Sequence, residues 1–276
     1  MRPHQEVSAM LWETITARAV VNYANIAVGV GPQYADKTVD AAEKAAERGF
    51  AKVTLVSSRP LKTALDVVVS DKPDEALIQL LKDGKVDGLV RGSLGANSTL
   101  RSLRRIMGLQ KILRVSLLKA PSGRFFFFAP VGVDEGWTVA DKAELGEAGA
   151  TLIKKFGIEP RVGVLSGGRM EDRGRSPLVD KTMDDAEAVA AALRAKGIDA
   201  KHASILFEDA INEYEYILAP DGVCGNLMFR ALCLVGCGEG YGAPLVGTDI
   251  VYVDTSRAGS GYEHAICLAG AMASKK

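Results

Sequence analysis

Long apolar runs are missing from this 276-residue chain: FFFFAPVGV is interrupted by Pro130, and ICLAGAMA ends after eight residues. A membrane-spanning helix needs ~20 such residues, so no membrane partner is expected. The opening MRPHQEVSAMLWE places Glu6 and Glu13 around its apolar residues and does not read as a secretory signal. Cysteine is scarce. Four in a chain of this length make no disulfide framework, and a reducing, cytoplasmic location is the simplest expectation. There is no CxxC, and His4, His202 and His264 have no ligand-like spacing, so no metal is expected; Cys224, Cys233 and Cys237 read as buried structural thiols. Net charge is absent as well, with 34 basic residues balancing 34 acidic ones, which removes any whole-molecule attraction for nucleic acid.

Glycine is what the chain has in excess, 29 residues gathered at the ends of apolar runs, where tight turns or close backbone approach require it. Strand-like and helix-like stretches alternate throughout. IAVGV precedes an alanine-spaced helix over 35–48, then come KVTLVSS, a helix with Pro73 in its first turn, VDGLVRGS, and a helix opened by Asn97 or Ser98. KILRVSLL and FFFFAPVGV read as strands joined across Pro121, Ser122 and Gly123. The pattern restarts after Thr138 with a helix to about Phe156, RVGVLSGG, a helix over 177–196, YILAPDG, a helix from GNLMF, the strand VGTDIVYVD and a closing helix. This alternation predicts an α/β fold with mainly parallel sheets, broken near residues 132–138.

In such sheets ligands sit beyond the carboxyl ends of the strands. Charge is segregated there. Between Asp87 and Asp134 no acidic residue occurs, while Arg91, Arg101, Arg104, Arg105, Lys111, Arg114, Lys119 and Arg124 all do. Arg104 and Arg105 suit a solvated helix face; Arg101 begins the helix after a glycine-rich strand end and is the better anion ligand. VGVGPQYA opens like a dinucleotide fingerprint or a methyl-donor turn. Tyr34, however, stands where the third glycine belongs, and no acidic residue ends the next strand. LSGGRMEDRGRSP offers Ser166, the N–H groups of Gly167 and Gly168, and Arg169 as a phosphate cradle. SRAGSGYE brings a hydroxyl, Ser256, a guanidinium, Arg257, and a carboxylate, Glu263, within seven positions after the strand DIVYVD. Such groups serve acyl transfer as anion binder and general base, although Glu263 also suits a helix N-terminus as such.

Together, VDGLVRGSLGANSTLR, VLSGGRMEDRGRSPLVDK, APDGVCGN and SRAGSGYE resemble the phosphotransacetylase and phosphotransbutyrylase superfamily, which includes the PlsX-type acyltransferases. The wording is closest to its divergent archaeal branch, the MtxX-type methanogenesis-marker proteins. The resemblance implies two α/β/α domains, phosphotransacetylase-like and isopropylmalate-dehydrogenase-like, with an inter-domain cleft: residues 1–132 joined by 250–276, and residues 133–249. It implies a cytoplasmic homodimer whose partner is a small anionic substrate, an acyl phosphate, CoA or an analogue, with CoA as co-substrate and no tightly bound cofactor. In that scheme Glu263 takes the thiol proton, Arg257 holds the phosphate or acyl oxygen and Ser256 orients the thiol. Arg91, Ser93, Arg101, Ser166, Gly167, Gly168, Arg169 and Asn226 bind phosphate or substrate. The alternative is a methyltransferase-related or noncatalytic protein that binds a phosphorylated cofactor in the same cleft.

Overall fold

The computed structural model describes residues 3–257, 259 and 261–273. In chain order the elements are α1 (Pro3–Asn22), β1 (Asn25–Val30), α2 (Ala35–Glu47), β2 (Lys52–Ser57), β3 (Asp66–Val69), α3 (Pro73–Lys82), β4 (Gly88–Val90), α4 (Ala96–Met107), β5 (Leu113–Arg114), β6 (Ser116–Lys119) and β7 (Phe125–Ala129). There follow α5 (Val139–Lys155), β8 (Val162–Val164), α6 (Pro177–Ala195), β9 (Ala200–His202), α7 (Phe207–Glu213), β10 (Tyr216–Leu218), α8 (Gly222–Arg230), β11 (Glu239–Gly240), β12 (Ala243–Val246), β13 (Tyr252–Asp254) and α9 (Tyr262–Met272). They form two compact units, one of residues 13–112 and 240–276, the other of residues 1–12 and 113–239. Among the described residues no helix is long and apolar enough to cross a membrane.

In the first unit the strands lie side by side in the order β3-β2-β1-β4-β13-β12. The first five run parallel, and only β12 is antiparallel, to β13. β1 is central because NIAVGV is apolar on both faces, the pattern of a strand covered by helices on each side. Its register pairs Ile26 with Val53 and with Gly88. α2 turns Ala35, Thr38, Ala41, Ala42 and Ala45 inward, and α9 buries nearly its whole surface, Tyr262 and residues 265–271, against α2 and the sheet. The run VGTDIVYVD, expected as one strand, holds only the last residue of β12, Val246, and then β13. Gly247, at φ +73°, turns the chain between β12 and β13 and lets them pair antiparallel. α4 likewise starts at Ala96, with Gly95 as its N-cap and the Ser98 hydroxyl donating back to Gly95 O, rather than being capped by Asn97 or Ser98.

In the second unit the order is β6-β7-β10-β8-β9, parallel except for the β6–β7 hairpin, whose turn places Gly123 at φ +87°. Phe126 and Phe128 pack edge-on to each other and, with Phe207 of α7, fill one side of its core. On the opposite side Gly149 of α5 meets the Tyr216 ring, whose hydroxyl donates to Leu145 O at 3.0 Å.

The chain moves from β1 to β2 and β3 on one side, then returns to place β4 on the other, so β1 and β4 bound a topological switch point. The loops that leave them touch backbone to backbone. A Cβ on Gly31 would strike Ser93 O, and a Cβ on Gly92, at φ +59°, would strike Gly29 O. Gly92→Ala therefore combines left-handed strain with a backbone clash and should cost more than about 2 kcal/mol in urea unfolding. Gly49→Ala, at φ +70° with open space around it, carries the strain alone and should cost about 1 kcal/mol. Equal losses for the two variants would remove the close approach as a determinant of stability.

Candidate functional site

The switch-point loops of the first unit are stitched by small hydroxyls. Ser93, 2% exposed, accepts from Gly31 N at 3.0 Å and its hydroxyl is hydrogen-bonded to that of Thr38 across 2.8 Å, while its own N–H donates to Gly29 O. Ser93 is thus built into the scaffold. The glycines of VGVGP are accounted for in the same way, since the Leu94 side chain and Arg91 O occupy the space beside Gly29 and the backbone of Ser93 and Leu94 that beside Gly31. Arg91 is also interior. It is 4% exposed; its Nε donates to Asp254, Nη1 to Leu94 O at 2.7 Å and Nη2 to Thr255 O. The Thr255 hydroxyl returns a hydrogen bond to Gly92 O at 2.7 Å.

From this platform Ser256 and Arg257 leave β13. Ser256 is half-buried and Arg257 exposed, and the Arg257 carbonyl accepts from the hydroxyl of buried Tyr262 at 3.0 Å. Ala258 and Ser260 lie outside the described residues. Neither the Arg257 guanidinium nor that of exposed Arg101, in the second turn of α4, has an ion-pair partner among the described residues. Arg105, by contrast, pairs with Glu75 at 3.2 Å. Glu263 is turned toward the end of α2, where its Oε1 lies 3.1 Å from Arg48 Nη1 with the carboxylate side chain 17% exposed. Arg48 itself is 64% exposed.

In the second unit the loop after β8 is internally satisfied. Ser166, 2% exposed, donates its N–H to Ser204 O and its hydroxyl to Gly168 O at 3.1 Å, and the hydroxyl also meets His202 Nε2 at 2.8 Å. Gly167 N donates to Thr182 Oγ1 at 2.8 Å and Arg169 N to Asp172 at 2.9 Å. Of the two N–H groups expected to cradle a phosphate, that of Gly167 is therefore engaged by the protein, as are those of Ser166 and Arg169 beside it, while the Arg169 side chain is exposed. Asn226 donates its amide to Val131 O at 2.8 Å. The glycines of APDGVCGN let α8 rest on a neighbouring loop, where a Cβ on Gly222 would strike Gly132 O and one on Gly225 would strike Pro130 O. That loop is held by the buried pair Arg114–Glu135, 2.7 Å apart, in which burial still pushes the Glu135 carboxyl above its ordinary value.

Sequence spacing did not point to His202, Thr182, Asp254 or Tyr262, because each meets its partner only through the fold. The thiols differ from one another. Cys267 is buried and Cys233 half-buried, each pushed up to about 12 by burial, whereas Cys224 donates to Asp221 at 3.3 Å and Cys237 is exposed. Among the described residues no group of three His, Cys, Asp or Glu side chains is placed to hold a metal ion.

The family model for phosphate acetyl/butaryl transferase matches residues 62–200, half of the chain. The chain belongs to that family. The matched stretch holds the loops after β4 and β8 and ends before APDGVCGN and SRAGSGYE. Over 267 residues, 95% of each chain, it is 45% identical to the protein named "Putative methyltransferase mtx subunit X" of Methanosarcina mazei, and over 236 residues, 83% of this chain and 92% of the other, it is 37% identical to an uncharacterized methyltransferase of Methanopyrus kandleri. The fold matches a branched-chain phosphotransacylase from Enterococcus faecalis with TM-score 0.71 at 17% identity, covering 90% of this chain and 98% of that one. A phosphotransacetylase from Streptococcus pyogenes matches with TM-score 0.68 at 18% identity, covering 96% and 98%.

Burial holds the His202 imidazolium below its ordinary range, so the folded protein carries this side chain neutral where the unfolded chain, near 6.5, begins to protonate. The stability that His202 confers should be fully present above pH ~6.5 and fall as the pH drops below it. Urea unfolding of the native protein and of His202→Gln at pH 7.5, 6 and 5 should show their difference shrinking with acidity. A constant difference would remove the titration.

Proposed function

We propose that this protein is an acyltransferase acting on an acyl phosphate and a CoA-type thiol, as a cytoplasmic homodimer without a resident cofactor. The observation that carries the reading is the division among its arginines. Arg91 is consumed by the scaffold, whereas Arg101 and Arg257 are exposed and unpaired among the described residues, on the unit whose β1 and β4 ends form the switch point. Exposed guanidiniums, one on α4 and one in the turn after β13, are suited to a phosphate or phosphoanhydride group beside a switch point. The family membership supports acyl-phosphate chemistry.

In this mechanism the thiol sulfur attacks the acyl carbonyl carbon. A C–S bond forms, the bond from carbon to the phosphate oxygen breaks, and inorganic phosphate departs with the electron pair. Arg257 and Arg101 hold the phosphate and offset its growing charge. The half-buried Ser256 hydroxyl hydrogen-bonds the thiol or the developing oxyanion. Glu263 accepts the thiol proton, exchanging its pair with exposed Arg48 for the incoming thiol.

The names of the methanogen relatives favour a second reading, in which the same arginines hold a phosphorylated cofactor for a methyltransferase and no acyl transfer occurs. Assays of acetyl phosphate with CoA separate the two. Glu263→Gln should lower turnover by roughly 10²–10⁴-fold with CoA affinity by calorimetry unchanged, and Arg257→Ala should weaken both rate and binding. Full activity in Glu263→Gln would remove it as the base. CoA binding without any turnover by the native protein would favour the cofactor-binding reading.

A further inference from the structure

We infer that Arg91 is a positioning residue that aims the Ser256–Arg257 segment and does not itself bind the anion; the inference deepens the functional reading above and rests on it for the meaning of that segment. Its guanidinium joins two loops. Nη1 closes back on Leu94 O within its own loop, while Nε and Nη2 cross to Asp254 and to Thr255 O, the last two groups before Ser256. Two more bonds run alongside, from Arg91 N to Val253 O at 3.1 Å and from the Thr255 hydroxyl to Gly92 O. The side chains of Arg91 and Asp254 are 5% and 10% exposed, so the guanidinium presents no open edge to a ligand.

Stability alone does not call for this arrangement. A buried ion pair costs desolvation that its attraction barely offsets, and well-packed apolar residues of the same volume usually hold a fold as well. What a guanidinium adds is direction, because its donors lie in one rigid plane and accept partners only at fixed angles. Here one of those partners is the carbonyl of the peptide that links Thr255 to Ser256. Fixing that peptide plane fixes the direction in which Ser256 and Arg257 leave β13, and reactions between bound groups are sensitive to displacements of about 1 Å.

Arg91→Lys keeps the charge but replaces the planar fork with an ammonium unable to span Asp254, Leu94 O and Thr255 O together; Asp254→Asn keeps the shape and removes the charge. The primary measurement is amide hydrogen exchange, which does not depend on activity. Exchange over residues 255–262 should accelerate by about tenfold or more in each variant while β1 and α3 keep their native protection, and the double variant should behave like either single one. With acetyl phosphate and CoA, kcat should fall by about 10²-fold, and the dissociation constant for inorganic phosphate should change by less than about threefold. Unchanged exchange over 255–262 would overturn the proposal, as would a phosphate affinity lost tenfold with exchange intact, which would make Arg91 a ligand. If Arg91→Lys fails to fold, Asp254→Asn carries the same test. Absence of acyl transfer in the native protein overturns the acyltransferase reading alone, since local exchange still decides the role of Arg91.

Discussion

The loops after β1 and β4 approach each other at backbone distance, and much of the first unit follows from that contact. Gly29, Gly31 and Gly92 permit it, because a methyl group at any of them would occupy space already held by the facing loop. Once the backbones meet, the small hydroxyl of Ser93, itself bonded to that of Thr38, satisfies the N–H of Gly31. The consequence reaches β13. With the loop over 91–95 fixed, Arg91 finds Asp254 and Thr255 O, and the segment that carries Ser256 and Arg257 starts from a defined position.

Chemically similar side chains are thereby given opposite work. Arg91 and Arg114 are buried beside Asp254 and Glu135 and hold loops; Arg101, Arg169 and Arg257 are exposed and offer charge to solvent. Burial sets the division. A desolvated guanidinium must be paired within the protein, whereas an exposed one keeps its donors available at little cost. The serines divide in the same manner: Ser93 and Ser166 are almost wholly buried and bonded to neighbouring loop atoms, while Ser256 is only half-buried.

The second unit uses glycine for a similar end with different partners. Gly222 and Gly225 let α8 sit against the carbonyls of Gly132 and Pro130, and Asp221 caps the helix by accepting from Cys224 N. The P-D-G-x-x-G-N pattern therefore has a packing explanation in full. Ser166 and His202, 36 positions apart, meet because β8 and β9 are parallel neighbours in register, Val164 beside His202.

The sequence by itself determined the α/β class and its mainly parallel sheets, because apolar runs that alternate with helical spacing leave few other ways to bury both faces of a strand. It also located the glycine-rich strand ends and the motifs that place the chain in its family. Local periodicity carried no sign of α1, β3 or α7, nor of the hairpin that divides VGTDIVYVD, since short or half-exposed elements are decided by what they pack against. The roles of individual polar residues were equally hidden. Arg91 and Arg101 both sit near one glycine-rich loop in the sequence, and only the tertiary structure buries the first against Asp254 and leaves the second in water. Whether a charged side chain supports the scaffold or faces a ligand depends on its desolvation and its long-range partners, 163 positions away for Arg91 and Asp254, and no local pattern encodes either.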